Sequence, residues 1–384
     1  MHPGERVLRR AALCAAAFAL ASPPAAPGHA APLSLPAVSA PGGEHAVLDA
    51  VNAEKAWKVT RGDGVLVAVL DGRVDDTASE LKGRVEQGPD MTGTVFGRAT
   101  SPPGEATSAA SLIAGDGSGG GTWGVAPRAR VMSIPVISET PAAGFVDPQA
   151  EPGAAIDSPL ARAIRHAANN RASVINIPSG SYTVGRMDRD AISYALSRGV
   201  VIVSGVGDGG DHWRFPAGYP GVVGVAAAGK GTPSGANLSV LVAAPGVDLP
   251  VALPGGGHGR RTGSGPASAV VAGVAALIKA RYPDLKPELV ARALTSSSRR
   301  EGAGYDKKTG FGVVDAAAAL ARAGELGGYE RAVPVEEDLH FGDGRLAPAP
   351  ERPGPDPVRL WIYGIGVFLG VCAFTAAVAA LTRR

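Results

Sequence analysis

The chain has 384 residues, of which 45% are hydrophobic, 5% aromatic and 19% charged, with a formal net charge of +2. A chain of this length forms one large domain or two ordinary ones and buries a substantial core. Its near-neutral charge is spread without a basic stripe, which excludes the electrostatic footprint of a nucleic-acid binder.

At the N-terminus, Arg6, Arg9 and Arg10 precede an apolar run from Ala11 to Ala21, followed by Pro23, Pro24 and Gly28-His29-Ala30. That order predicts a secretory signal peptide over 1–30, because the apolar run is too short to span hydrocarbon. Cys14 follows Leu13, where lipidation would require a small residue, so a lipoprotein is not expected. Residues 31–49, rich in Pro, Ala and Ser, read as an extended arm. From 50 to 324, β-rich apolar runs alternate with alanine-rich stretches of helical period, the pattern of an α/β domain with a mostly parallel sheet flanked by helices. Strands are expected at 65–70, 130–137, 173–177, 200–204, 222–227 and 240–243. Helices are expected at 106–115, 159–169, 189–197, 267–281, 286–296 and 315–323. Pro348, Pro350, Pro353, Pro355 and Pro357 then mark a semi-extended linker over 325–359. The apolar run from Leu360 to Leu381 predicts one transmembrane helix over 360–382, with Arg383 and Arg384 as a cytoplasmic tail. The expected partner of this end is therefore a membrane, and the body of the chain lies outside the cytoplasm. Cys372 falls in the span, so the ectodomain has no disulfide available.

Three segments carry the chemistry. Val65 to Leu70 is an apolar strand ending in Asp71-Gly72-Arg73; Gly104-Glu105-Ala106-Thr107 opens a helix; Gly263-Ser264-Gly265 opens another that contains Val271-Ala272-Gly273. Further marks follow in order: Gly124-Val125-Ala126-Pro127, Val174-Ile175-Asn176, Phe215-Pro216-Ala217-Gly218, Ala244-Pro245-Gly246 and Gly310-Phe311-Gly312. Together they resemble the subtilisin-like serine proteases, and the layout of signal, domain, Pro-rich linker and terminal span resembles the membrane-anchored mycosins of type VII secretion. The resemblance implies a subtilisin-like three-layer fold over about 50–324.

Carried over position by position, the resemblance puts Asp71 at the family aspartate, Glu105 at the histidine, Gly265 at the nucleophilic serine and Asp208 at the oxyanion asparagine. Glycine offers no nucleophile, glutamate is a weaker base than histidine near neutral pH, and an ionised aspartate repels an oxyanion. These substitutions imply a pseudoprotease without cofactor or metal, although three carboxylates at Asp71, Glu105 and Asp208 are a set that could hold a cation. Pro178, Ser179 and Gly180 fall where an extended peptide would add as a strand, and Pro178 removes one donor there.

Two other readings stand beside this one. Sedolisins use a glutamate base and an aspartate at the oxyanion position, which Glu105 and Asp208 would imitate with Ser264 as nucleophile, yet their second aspartate, one helical turn on, is Ala109 here. A peptide-binding decoy or regulator of an active paralogue is the third. His258 sits in Gly255-Gly256-Gly257-His258-Gly259 and reads as part of a surface loop. The leading expectation is a non-catalytic scaffold contacting secretion-machinery proteins or extended peptides.

Overall fold

A strand sandwiched between two layers of helices needs apolar side chains on both faces, and Leu66–Asp71 (β1) has them. Val67 and Val69 pack into one core, while Ala68 and Leu70 pack into another on the opposite face. The computed structural model describes residues 45–92, 104–137, 158–180, 185–232, 234–300, 304–328 and 357–382. The expected signal peptide over 1–30, most of the arm over 31–49, most of the linker over 325–359 and the terminal arginines lie outside these residues.

Two short helices, Ala46–Ala50 (α1) and Ala53–Ala56 (α2), precede β1; Val85–Gln87 (β2), Glu105–Ala114 (α3) and Arg130–Pro135 (β3) follow it. Pro159–Asn169 (α4), Val174–Ile177 (β4), Arg186–Ser197 (α5), Val201–Gly205 (β5), Val222–Ala228 (β6) and Val242–Pro245 (β7) complete the sheet and one helical layer. Then come a hairpin of Leu249–Leu253 (β8) and Gly257–Arg261 (β9), followed by Ser264–Arg281 (α6), Pro287–Ser296 (α7) and Ala316–Gly327 (α8).

The main sheet has seven strands in the order β2-β3-β1-β4-β5-β6-β7, and every neighbouring pair is parallel. The chain leaves β1 toward β2 and β3 on one side and returns to β4 through β7 on the other. The strand order therefore reverses at β1 and β4, and the crevice at their carboxyl ends is where open α/β sheets hold ligands. Asp71 ends β1, and Pro178 follows β4.

The sequence-derived strands and helices are all present, with ends shifted by a few residues. Four features differ. The arm is folded at its end, since Val47 and Leu48 of α1 are buried at 3% and 0% exposure. The three-residue edge strand β2 has no alternation long enough to register. The segment after β7 is a hairpin rather than a loop, so His258 lies on β9, paired opposite Ala252. Finally, the C-terminal apolar run folds as Pro357–Thr382 (α9), a helix of 26 residues. Trp361, Ile362, Ile365, Val367, Phe368 and Phe374 are exposed on it. Among the described residues no helix is long and apolar enough to cross a membrane.

Helix α6 is buried on every side from Ser264 to Lys279, which is why its sequence shows no polar face. Gly273 is where it approaches the loop before β3 most closely: a Cβ there would stand 2.7 Å from Val125 Cβ. Helix propensity would favour alanine by about 1 kcal/mol, but overpacking of a closed core costs about 1–3 kcal/mol. Gly273→Ala is expected to lower the melting temperature, and Val125→Ala in the same chain to recover part of that loss, measured by thermal denaturation as a double-mutant cycle.

Candidate functional site

The carboxyl end of β1 places Asp71 at the floor of the crevice with 0% exposure. Its Oδ1 accepts from Gly72 N at 2.7 Å and its Oδ2 from Ser179 Oγ at 2.8 Å. Ser179 thus gives its hydroxyl to Asp71, joining the end of β1 to the Pro178–Gly180 edge beside β4. Arg73 turns elsewhere, donating from Nη1 to Gln87 Oε1 at 2.9 Å.

Glu105 is the first residue of α3 and is 9% exposed. The helix start favours a negative side chain, yet burial opposes the charge. The Glu105 carboxyl is pushed up to about 7, first by loss of water, then by the Asp71 charge, with Arg261 opposing and Asp208 adding a further upward push. Its Oε1 lies 2.6 Å from the point where a Cβ on Gly265 would stand. Gly265 is the second residue of α6, and Pro178 O closes its other side at 3.4 Å from the same point. The glutamate therefore fills the volume in which a side chain at 265 would begin.

Asp208 follows β5 and faces the start of α6. Its Oδ1 accepts from Ser264 N at 2.8 Å, so an acceptor-only carboxylate meets the first amide of a buried helix. Gly263, the residue before the helix, has φ 140°, and a Cβ there would lie 2.4 Å from Asp208 Oδ2. Only glycine allows the carboxylate this approach. Ser264 is 2% exposed, and its Oγ accepts from Gly207 N at 3.0 Å. Beneath Gly265, Asn176 Nδ2 donates to Ser268 Oγ at 2.9 Å and Ser268 Oγ donates to Gly265 O at 2.7 Å. These bonds fix the first turn of α6 against β4.

A profile described as the subtilase family matches residues 62–312, which contain all of these groups. The chain belongs to the subtilase family. Among subtilases it is similar to mycosin-1 of Mycobacterium tuberculosis, with 32% identity covering 86% of this chain and 83% of that protein. Among solved structures it is similar to a MycP3 protease from the type VII (ESX-3) secretion system, at 30% identity and a TM-score of 0.60, covering 71% of this chain and 87% of the other. It is also similar to fervidolysin of Fervidobacterium pennivorans, a keratinolytic enzyme related to subtilisin, at 28% identity and a TM-score of 0.63, covering 75% of this chain and 48% of that one.

In this subtilase the residues singled out from sequence lie together in space. Asp71, Ser179, Glu105, Gly265, Ser264 and Asp208 all lie at the crevice, with Pro178 and Gly180 along its edge. The Ser264 hydroxyl is buried and faces the Gly207 amide, which does not suit a nucleophile. Among the described residues no group of three His, Cys, Asp or Glu side chains is placed to hold a metal ion.

Arg261 was not legible as a site residue. It reaches Glu105 because β8 and β9 fold back over α3, where Ser108 Oγ donates to Ala252 O at 3.2 Å and Ala252 N donates to Ser111 Oγ at 3.0 Å. At the hairpin tip, Gly255 N bonds Asp75 Oδ2, and Pro254 lies against Gly104, just ahead of Glu105. On the strand, His258 Nε2 lies 3.1 Å from Oε1 of the fully buried Glu80. The sequence signal for this hairpin was one short apolar run, Leu249–Leu253, ahead of the turn residues Pro254-Gly255-Gly256.

A carboxyl raised in the folded state holds its proton to higher pH than it does unfolded. Its contribution to stability is complete below about 4.5 and is lost as pH rises through about 7. The cost of the charged form is on the order of 3 kcal/mol. Glu105→Gln is expected to raise the melting temperature by several degrees at pH 8 and to change it little at pH 5, as read by parallel melts at the two pH values.

Proposed function

We propose that this subtilase is a membrane-anchored, extracytoplasmic domain that does not cleave peptides and acts as a scaffold or interaction module in a type VII secretion or cell-envelope assembly. The observation that carries the reading is Glu105 Oε1 standing 2.6 Å from where a side chain at Gly265 would begin: the family serine position has no hydroxyl, and the family histidine position is filled by a group occupying the vacated space. The carboxylate of Asp208 on the start of α6 adds to it, because a developing oxyanion needs donors rather than an anion. Loss of triad members leaves subtilases only the residual catalysis of binding and oxyanion donors, and here the oxyanion position has changed as well.

Similarity to mycosin-1 and to the ESX-3 protease over most of their lengths supports the secretion setting. The uncharged apolar run from Leu360 to Leu381 in the sequence supports the anchor, since a bilayer core of about 30 Å takes about 20 helical residues. An N-terminal signal peptide would place the domain outside the cytoplasm.

The reading is tested by exposing the full chain to a serine-reactive fluorophosphonate while scanning peptide hydrolysis from acid to mildly alkaline pH. No labelling and no turnover are expected; labelling at Ser264 would overturn the proposal. Gly265→Ser is expected to stay inactive, at or near the uncatalysed rate, because Glu105 and Asp208 remain; measurable hydrolysis by that variant refutes this. In cells, deletion of the gene is expected to impair secretion, while Asp71→Ala and Glu105→Ala restore it as well as the unaltered chain does. An Asp71→Ala protein that is folded and abundant but fails to restore secretion argues for chemistry instead.

A further inference from the structure

Apart from Val59 and the apolar residues of α9, the large hydrophobic side chains exposed among the described residues are Trp213 at 46%, Leu238 at 59%, Tyr305 at 37% and Phe311 at 42%. They come from three loops far apart in sequence, yet they share one surface. Asn237 joins the loops: its Nδ2 donates to His212 O at 3.1 Å, and its carbonyl accepts from Tyr305 Oη at 3.2 Å. The Tyr305 and Phe311 rings meet edge to face with centroids 5.5 Å apart. Asn237 is 2% exposed, and Gly235 N and Ala236 N bond Gly207 O and Gly210 O at 2.9 and 3.0 Å. The patch is therefore held in shape by buried polar bonds before anything docks on it, which lowers the ordering cost of binding.

In a chain where 5% of residues are aromatic, three exposed aromatic rings on one surface mark a contact surface. Trp and Tyr are the residues that dominate protein interfaces. The three rings expose on the order of 250 Å², which suits the apolar centre of an interface burying about 800 Å² per partner.

The charges at the ends of the patch indicate the partner. At one end Asp211, beside Trp213, has a side chain 85% exposed, its carboxylate 4.0 Å from the exposed His212 Nδ1. At the other, Lys307 and Lys308, between Tyr305 and Phe311, are exposed. The neighbouring Asp306 carboxylate is turned into its own loop, accepting from Lys308 N at 2.6 Å and Thr309 N at 3.1 Å, so lysine charge prevails at that end. Asn237 and Leu238 lie between the two. A surface with an acid at one end, two lysines at the other and an apolar middle is complementary to itself under a two-fold rotation: apolar meets apolar, and each acid meets the other copy's lysines. We propose that this surface docks a second copy of the chain in a two-fold pairing. The pairing requires nothing of Glu105 or Gly265 and goes beyond the reading given above.

Sedimentation velocity of the full chain in mild detergent, over a range of protein concentrations, tests it. A monomer–dimer equilibrium is expected, weakened roughly tenfold or more in Kd by Trp213→Ala with Phe311→Ala. Asp211→Lys alone, and Lys307→Glu with Lys308→Glu alone, should each weaken the dimer by bringing like charges together. All three charge changes in one chain should restore it. The charge variants alter exposed side chains only, so they remain informative even if the aromatic double variant fails to fold. A chain that stays monomeric at every concentration would overturn the proposal and leave the surface to a different protein. So would a dimer indifferent to these substitutions, or charge-swapped chains that fail to re-associate.

Discussion

Helix α6 is enclosed on all sides, and an enclosed helix must have its first amides met by something other than water. That requirement organises the whole crevice. Asp208 reaches across Gly263, whose φ of 140° requires glycine, and accepts from Ser264 N; Ser264 Oγ accepts from Gly207 N after β5, and Ser268 Oγ accepts from Asn176 Nδ2 of β4, so the same turn is bound to the ends of both strands. A helix start directed at a crevice is a ready anion site. In this chain the anion belongs to the protein: the Asp208 carboxylate completes the fold by meeting that helix start.

The acidic pair at Asp71 and Glu105 is the counterpart of that arrangement. Two carboxyls taken out of water beside each other raise the energy of the charged state, and Arg261, brought by the β8–β9 hairpin, offsets only part of it. Asp71 keeps two hydrogen bonds, from Gly72 N and Ser179 Oγ. The pair is thus unequal: one carboxylate is held by donors, and the other is held by packing against Gly265.

The fold was readable wherever strands were continuous apolar runs, because a parallel sheet buried on both faces writes itself as Val65 to Leu70 or Val200 to Ser204 without a competing period. Glu105 and Gly265 were singled out by the register that Thr107, Ala110 and Val271-Ala272-Gly273 set for two helices, and in the fold each stands in the first turn of its helix. The places of Arg261, which was not singled out, and of His258, which read as a loop residue, were hidden because a Gly-rich hairpin has no alternation to read and because their partners, Glu105 and Glu80, lie more than 150 residues away in sequence. The surface around Trp213 was equally silent: nothing in the spacing of Trp213, Leu238 and Tyr305 shows that Asn237 draws them together.

The overlap between Glu105 and the space above Gly265 bears on how reversible this chemistry is. A serine introduced at 265 meets the glutamate, a histidine introduced at 105 finds no hydroxyl to activate, and an asparagine introduced at 208 removes the charge that caps α6. Under the proposed reading, no single one of these substitutions restores a working triad. Under that reading a route back to a triad runs through several coordinated changes, so the crevice acts as a ratchet.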